Sequence, residues 1–352
     1  MQKTILLKAI KINSLPINDV LSNMAEALGV PLERKCEEYF VQIPSSLGKG
    51  TIKGFNFSNG LGFIRYDCTF IKDFEIQFVK TDVHPLRFIY TLHGSIGHRF
   101  ANEDVIHIIQ KFQNVIVASE RNNGHALSFS AGENTVLSSI EIRRSEFKSK
   151  TECEIESMDS EFQKLLTDVE AKRQFVYEGL YSLHISEMFK EMENFNEQDF
   201  LNKLFIEGKV YEIIALQILQ YQDDLKDVGN RSLLRRYEVE QIERAAEMVK
   251  QDIINFHNIE EISKEVGLNA NKLQQGFQDL YSHTVNGYVN KVRLDLAQNL
   301  LLNTELSLAE IVDRIGLINK SYFSKIFKEK YGIPPSKFRQ NNGRSHDSSH
   351  SK

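Results

Sequence analysis

The sequence contains a compact set of hydrogen-bond donors between residues 319 and 328. The set comprises Asn319, Lys320, Ser321, Tyr322, Ser324, Lys325 and Lys328, and no acidic side chain lies within it. Such side chains donate hydrogen bonds to phosphate oxygens and to the acceptor edges of bases. If they share the exposed face of one helix, they predict a helix that enters the major groove of DNA.

Two short helices that meet at a tight turn are predicted to hold these donors. Ser307 and Glu310 have the spacing of a reciprocal capping box, and apolar residues then recur at helical spacing up to Gly316, the expected left-handed cap. A second apolar stripe includes Phe323 and is expected to end at Gly332. A solvated helix pair, whose lysines only keep it soluble, would show the same pattern.

The same pattern occurs a second time upstream, with an offset of 49 residues before the turn and 50 after it. The matched pairs are Ile262 and Ile311, Gly267 and Gly316, Leu273 and Phe323, Phe277 and Phe327, and Tyr281 and Tyr331. Between the copies, one apolar stripe from Val285 to Leu300 predicts a connecting helix about 25 Å long. A rigid connection between two helices suits successive major grooves, which favours DNA binding over the solvated pair.

The second helix of the first copy is predicted to expose mainly carboxamides. Its candidate DNA-contacting residues are Asn269, Asn271, Lys272, Gln274, Gln275 and Gln278. Asn and Gln pair bidentately with adenine, whereas guanine is usually read by Arg or Lys, so this helix is predicted to prefer adenine. The alternative is that these glutamines are ordinary helix surface.

The region from about Glu238 to Arg339 resembles the DNA-binding domain of AraC/XylS-type bacterial transcription regulators. The matching segments are RLDLAQNLLLN, IVDRIGL, SYFSKIFKEKYG and PPSKFR. The resemblance implies seven helices with two helix-turn-helix units. It places Gln274, Gln275, Ser321, Tyr322 and Lys325 towards bases, and Lys320 and Lys328 nearer the DNA backbone.

Two further observations concern this resemblance. Gly276 lies inside the first recognition helix, where many family members have a larger residue. Because glycine costs roughly 1 kcal/mol of helix propensity, a softer helix is expected there. The segments LQQGFQ and EGKVYEIIALQI also resemble the subgroup typified by the regulator of pyochelin uptake.

The N-terminal part consists of short β-branched and aromatic runs separated by turn residues, such as LRFIYTL and ALSFS. Seven or more such runs between about Cys36 and Phe147 predict a barrel or sandwich, preceded by a short helix over residues 14–29. The family resemblance implies a cupin-like β-barrel sensor that binds a small-molecule effector. After about Thr151 apolar residues recur at helical spacing, which predicts helices that form dimer contacts or pack on the barrel.

The resulting prediction is a multidomain α+β chain. It has a β-rich cupin-like sensor at residues 1–150, a helical dimerisation or linker region at 151–225 and a linker at 226–237. An all-α domain of seven helices with two helix-turn-helix units follows at 238–340, and a disordered tail at 341–352.

Charge is divided unequally along the chain. The whole chain has a formal charge of −5. From Arg231 onward there are 18 basic and 15 acidic residues, a net of +3, which leaves −8 for residues 1–230. From Ile311 onward there are 9 basic and 3 acidic residues. The second helix-turn-helix is therefore expected to supply most of the attraction to phosphate.

Cysteines and apolar runs set further expectations. Cys36, Cys68 and Cys153 are too scattered for a disulfide framework or a metal knuckle, and buried reduced thiols are expected. No apolar run reaches eighteen residues and no cleavage pattern follows the first residues, so a cytoplasmic location without membrane contact is expected.

An enzyme remains the main alternative. His84, His93, His98, His107 and His125 lie in the β-rich part, as in a metal-dependent cupin-type enzyme fused to a DNA-binding module. The chain has no His-x-His pair, so neither a metal, another cofactor nor a catalytic residue is predicted.

The favoured hypothesis is a sequence-specific regulator that binds double-stranded DNA as a homodimer, with RNA polymerase as a further candidate partner. A third reading gives the barrel only dimer or protein contacts.

Overall fold

The computed structural model describes residues 8–13, 16–79, 83–147, 160–195, 197, 199–226, 236–256 and 258–343. The chain divides into two compact units, unit 1 (Met1–Ser232) and unit 2 (Leu233–Lys352). The division falls inside the predicted linker 226–237, of which residues 227–235 lie outside the described residues. Residues 344–352 of the predicted tail, and Cys153, also lie outside them.

Unit 1 is rich in β-structure. Its strands are β1 (Lys8–Ile12), β2 (Leu32–Lys35), β3 (Glu38–Gln42), β4 (Gly48–Asn56), β5 (Leu61–Phe70), β6 (Phe74–Phe78), β7 (Leu86–His93), β8 (Ile96–Phe100), β9 (His107–Ile109), β10 (Gln113–Ala118), β11 (His125–Phe129), β12 (Asn134–Ile142) and β13 (Phe175–Tyr181). Its helices are α1 (Ile17–Leu28), α2 (Ser160–Thr167), α3 (Leu183–Asn194) and α4 (Asp199–Lys226).

The strands form two sheets. One has five strands in the order β1-β6-β11-β8-β9, and the other has eight in the order β13-β10-β7-β12-β5-β4-β3-β2. Within the described residues, hydrogen bonding does not join the two sheets into one closed barrel. The main core lies between them, where the inward residues Ile76 and Leu127 of the first sheet belong to the same buried cluster as Ile89 and Leu137 of the second.

Helix α1 confirms the expected short helix and packs on β4 and β5 of the larger sheet. A Cβ atom at Gly54 or at Gly62 would lie 2.6 Å from the side chain of Ile17, so both glycines leave room for this buried residue. The backbone N–H of Ile17 donates to Asn56 Oδ1 at 3.1 Å, which ties the start of the helix to β4.

Residues 151–225 are not helical throughout, because β13 lies among the helices. It pairs antiparallel with β10, with Tyr177 opposite Ile116 and Val176 opposite Val117. β-Branched and aromatic residues in this segment suit a strand, and β10 offers an edge on which it can pair. The two predicted helices both follow β13 and are present as α3 and α4.

Unit 2 is helical within the described residues. Its helices are α5 (Arg236–Gln251), α6 (Ile259–Val266), α7 (Ala270–Tyr281), α8 (Val285–Asn303), α9 (Leu308–Arg314), α10 (Lys320–Tyr331) and α11 (Pro335–Gly343). Helices α6 and α7 form one helix-turn-helix, α9 and α10 form the second, and α8 connects them.

The connecting helix α8 buries two different faces rather than the single stripe expected from the sequence. Val285 and Tyr288 are buried in its first half. The Tyr288 ring contacts the Phe277 ring of the first helix-turn-helix, with centroids 5.3 Å apart. Leu294 and Leu301 in its second half belong to the core of the second helix-turn-helix. At about 100° per residue the two sets lie on roughly opposite sides, so each helix-turn-helix packs on its own face of α8.

The two described cysteines differ from each other. Cys68 is buried in β5, as expected, and burial raises the pKa of its thiol to about 12. Cys36 is exposed, contrary to the expectation, because it lies in the turn between β2 and β3 with φ of 54°.

Among the described residues, no helix is long and apolar enough to cross a membrane, and no group of three or more His, Cys, Asp or Glu could hold a metal ion.

Candidate nucleic-acid interface

The second helix-turn-helix begins at the predicted capping box. The backbone N–H of Glu310 donates to Ser307 Oγ at 3.3 Å, and the N–H of Ser307 donates to Glu310 Oε2 at 2.7 Å. Hydrogen bonds from the side chain and the backbone N–H of Ser307 to the Glu310 carboxylate lower the pKa of Glu310. Gly316 has φ of 69°, and a Cβ there would lie 2.9 Å from the carbonyl oxygen of Ile254. The turn therefore needs glycine both for its conformation and for the close approach.

Helix α10 has one buried and one exposed side. Phe323 and Phe327 are buried, and the Phe327 ring contacts Tyr331 at 4.5 Å and Phe338 at 5.4 Å. The exposed side includes Lys320, Ser321, Lys325 and Lys328. Within the described part of the chain none of these three lysines has an ion-pair partner, and they all belong to one recognition helix. Four donors are thus available to an acceptor outside the chain.

Asn319 and Tyr322 already take part in contacts within unit 2. The Asn319 side-chain oxygen caps α10 by accepting from the N–H of Tyr322 at 3.0 Å. The Tyr322 hydroxyl accepts from Asn290 Nδ2 of α8 at 3.1 Å, although 41% of the Tyr322 residue surface stays exposed. Tyr322 can therefore contact DNA and also fix α10 against the connecting helix.

The first helix-turn-helix has the same local signals. Asn258 caps α6, Gly267 ends it with φ of 71°, and Asn269 caps α7 by accepting from the N–H of Lys272 at 2.8 Å. The predicted repeat is therefore present as two structures with equivalent caps and turns. Because the Asn269 oxygen is engaged at the helix end, only its Nδ2 group remains to donate to DNA.

The other candidate residues on α7 differ in whether their side chains already have a partner within unit 2 or are exposed to contact DNA. Lys272 forms an ion pair with Glu238 of α5. The Gln274 side chain accepts from the N–H of Val285 at 3.3 Å, at the start of α8, and Gln275 donates to Asp279 at 2.7 Å. Asn271 and Gln278 are exposed, as is Gln275. Positions 271, 274, 275 and 278 have the i, i+3, i+4, i+7 spacing of one helix face.

Gly276 packs against another helix of unit 2, a role that the expectation of a softer helix did not include. It is buried, and a Cβ there would lie 2.1 Å from Ile242 Cδ1 of α5. Since Ile242 is itself fully buried, the absence of a side chain lets α7 approach α5 closely. The glycine places the first recognition helix at the cost of some helix propensity.

The two helix-turn-helix units differ in charge. In α6 and α7 the acidic residues Glu260, Glu261, Glu265 and Asp279 accompany only Lys264 and Lys272, and Lys272 is paired. In α10 four lysines accompany the single acidic Glu329. The positive charge expected on the second helix-turn-helix is therefore concentrated on its recognition helix, α10.

Two residues of α8 were missed by the sequence reasoning. Asn290 donates to Tyr322, and Arg293, half-buried, lies near enough for Tyr322 to affect its pKa, which burial lowers. Arg293 begins the segment RLDLAQNLLLN, but that segment suggested only helix packing. Its side-chain Nε has no hydrogen-bond partner among the described residues.

Two protein families match this chain. The family described as helix-turn-helix domain matches residues 262–341, which include most of the first helix-turn-helix and all of the second. The family described as regulatory protein PchR N-terminal domain matches residues 49–231, just over half of the chain. One match lies in each unit of the structure.

Curated relatives are similar mainly over part of their length. The Msm operon regulatory protein of Streptococcus mutans is 28% identical over 170 residues, covering 48% of this chain and 59% of the relative. The HTH-type transcriptional regulator ExsA of Pseudomonas aeruginosa is 26% identical over 132 residues, covering 38% and 46%. The chain thus spans about half the length of the curated relatives it matches.

A solved structure of ToxT from Vibrio cholerae matches 80% of this chain and 98% of its own, with 18% identity and a TM-score of 0.27. The family matches carry the assignment. With the regulatory protein PchR N-terminal domain matching over half of its residues and a helix-turn-helix domain following it, this chain belongs to the AraC-type transcription regulators with a PchR-type N-terminal domain.

Proposed function

We propose that this chain regulates transcription by sequence-specific binding to double-stranded DNA through both helix-turn-helix units. The observation that carries the proposal is the exposed side of α10. There Lys320, Ser321, Lys325 and Lys328 present donors, and the three lysines form no ion pair in the described structure. Donors of this kind suit phosphate oxygens and guanine edges in a major groove.

The two recognition helices, α7 and α10, have different roles in DNA binding. Lys320 and Lys328 contact phosphates, while Ser321, Tyr322 and Lys325 contact bases. On α7, Asn271, Gln275 and Gln278 contact bases and favour adenine. Asn269, Lys272, Gln274 and Asn319 contribute through the positions of their helices as well as through any direct contact, because each has a partner inside unit 2.

Unit 1 acts as a cupin-like sensor for a small-molecule effector and as the dimerisation unit. Support for a homodimer comes from α4, where Phe200 is 74%, Leu204 57% and Leu219 54% exposed. Apolar surface of this extent on one helix suits contact with a second copy. The dimer acts in the cytoplasm and meets RNA polymerase at the promoter.

Selection of DNA fragments from a genomic library tests DNA binding directly. Repeated selection with the full chain is expected to enrich a short sequence, and fluorescence anisotropy is expected to give at least about a thousandfold tighter binding to it than to unrelated DNA at physiological salt. Equal affinity for both would contradict the proposal. Sedimentation of the full chain tests the homodimer, and the charged variant Phe200→Glu with Leu204→Glu is expected to be monomeric.

A further inference from the structure

Two imidazoles lie in the core of unit 1, on the inward face of the five-stranded sheet. His98 of β8 and His125 of β11 occupy adjacent antiparallel strands, with His98 opposite Leu127 and His125 opposite Phe100. Their exposed fractions are 0% and 2%. The two rings stack with centroids 5.3 Å apart and an angle of 29° between their planes.

Neither imidazole ring is hydrogen-bonded within the part of the chain that the structure describes. Both ring nitrogens of His98 and both of His125 lack a hydrogen-bond partner among the described residues. Buried polar groups without partners are rare in folded proteins, because the lost hydration is not replaced. Two neighbouring residues of this kind in a mainly apolar core indicate a position that polar atoms of a ligand complete.

Arg87 gives this cluster its charge. It extends from β7 of the opposite sheet, is 3% exposed, and its Nε donates to Glu141 Oε1 at 2.8 Å. Its Nη2 has no partner among the described residues. The guanidinium carbon lies 4.6 Å from the centroid of the Phe78 ring, and that ring stacks on His125 at 4.6 Å.

Both imidazoles are neutral in this environment. Burial, together with the charges of Arg87 and His107, lowers the pKa of His98 to about 3. Burial and then Arg87 also lower the pKa of His125. Both rings therefore lie in the positive potential of Arg87, whose carboxylate partner Glu141 is bound on the Nε side. A site with this potential, one guanidinium N–H and two imidazole N–H groups favours an anion over a cation.

The geometry points to an effector site formed by His98, His125 and Nη2 of Arg87 that binds a small carboxylate with an apolar body. One carboxylate oxygen accepts from Arg87 and the other from an imidazole N–H, while Phe78 and Phe100 contact the apolar part. This inference rests on the proposed function, in which unit 1 binds an effector. A metal ion is not the ligand that this arrangement favours, because the described residues contain no set of three ligands able to hold one.

Strand β9 offers the route by which a ligand reaches the site. It has only three residues, lies at the edge of the five-stranded sheet, and places His107 opposite His98. Beside it, Val105 and Ile106 are 60% and 52% exposed. The Nδ1 of His107 contacts Glu178 Oε1 of β13 at 2.7 Å, so opening of β9 breaks this contact as well as the pairing of β9 with β8.

Binding to the full chain tests the site with matched probes of one shape. Calorimetry with phenylacetate, phenylacetamide and 2-phenylethylamine compares an anion, a neutral amide and a cation, and acetate tests the carboxylate alone. We expect phenylacetate to bind at least about tenfold more tightly than the amide, and the amine not to bind. In protein labelled with ¹⁵N-histidine, the ring nitrogens of His98 and His125 are expected to shift on binding, and those of the exposed His93 are not.

Variants locate the binding in this cluster. His98→Phe and His125→Phe keep a ring but remove the nitrogens, and each is expected to weaken phenylacetate binding at least about tenfold. The double variant Arg87→Gln with Glu141→Gln leaves no unpaired buried charge and is expected to abolish it. His93→Phe is the matched control and should bind normally. Thermal unfolding checks the fold, and His98→Phe is expected to raise the melting temperature because it removes unpaired polar atoms.

Three results would overturn the inference: equal affinity for the acid and the amide, no binding by either carboxylate, or unchanged binding in both phenylalanine variants. A melting temperature lowered by His98→Phe, together with normal binding, would assign His98 to the fold instead. DNA binding of the ligand-free chain is measured in parallel. Its failure would contradict the proposed function, whereas failure of the carboxylate series with intact DNA binding would contradict only the site.

Discussion

Gly276 and Ile242 are in such close contact that a single methyl group at Gly276 would overlap Cδ1 of Ile242 at 2.1 Å. This contact joins the first recognition helix to α5, and both residues are buried. The position of α7, and with it the direction in which its amides point, therefore depends on a glycine that helix propensity alone would disfavour.

The first prediction tests this contact by a double-mutant cycle. Gly276→Ala improves helix propensity by about 1 kcal/mol, yet it is expected to destabilise unit 2 by about 1 to 3 kcal/mol because it overpacks the contact with Ile242. Ile242→Val removes Cδ1 and should recover most of the loss in the double variant. Urea unfolding followed by circular dichroism measures the four proteins. Strictly additive effects would show that the two residues do not interact.

The second prediction concerns phosphate contacts. Lys328→Ala is expected to weaken binding to selected and unrelated DNA alike and to reduce the salt slope of log K by about one unit, since one phosphate contact is lost. Lys330→Ala is the matched control, because Lys330 lies on the same helix but is paired with Asp295. Anisotropy titrations at several salt concentrations give the slopes. Identical slopes for wild type and Lys328→Ala would remove Lys328 from the interface.

The third prediction separates base reading from helix positioning on α7. Gln278→Ala is expected to cost about 1 to 3 kcal/mol on a site containing adenine and much less on unrelated DNA. Gln274→Ala, in contrast, also removes the acceptor of the Val285 N–H and should lower the stability of unit 2. Binding to single-base variants of the selected site makes the comparison. If the adenine preference survives Gln278→Ala, a different residue reads that base.

The fourth prediction follows the His107–Glu178 contact between β9 and β13. The neighbouring residue Tyr177 hydrogen bonds to Asp224 near the end of α4, so β13 connects the edge of the proposed site to the helix that precedes the linker. Glu178→Gln is expected to leave phenylacetate affinity within about twofold while abolishing its effect on DNA binding. Glu103→Gln is a control from the same unit. Loss of ligand affinity itself would place Glu178 in the site.

The fifth prediction is a loss of stability in acid. The folded pKa of His98 is about 3, below its ordinary value of 6.5. Between these values the unfolded chain binds a proton that the folded chain does not, so stability is fully present above about pH 6.5 and falls as the pH decreases. The slope is about 1.4 kcal/mol per pH unit for each such histidine.

The groups that face His98 are Arg87, His107 and His125, and none of them is a carboxylate that would offset this loss. His98→Phe removes one titrating group and is expected to reduce the dependence on pH between about 6.5 and 4. Urea unfolding of unit 1 within the full chain, followed at several pH values, measures it. An unchanged pH dependence in this variant would mean that His98 is already protonated in the folded protein.

The sequence by itself determined the two helix-turn-helix units and the β-rich character of unit 1. Its signals there are local: the capping box of Ser307 and Glu310, and the glycines at 267, 316 and 332, act within a few residues of each other. Local backbone preferences and apolar spacing are enough to predict such elements and their ends. The strand-like runs likewise predicted a β-rich unit, although not the strand β13, which forms because β10 offers an edge for pairing.

Only the tertiary structure decided which candidate residues are available and where the unpaired polar groups meet. Lys272 is neutralised by Glu238, 34 residues away, and Tyr322 meets Asn290 over 32 residues. The sequence presented His98 and His125 as two of several scattered histidines, and pairing of β8 with β11 stacks their rings. Such partners depend on the register and packing of distant segments, which the residues near each position in the chain do not specify.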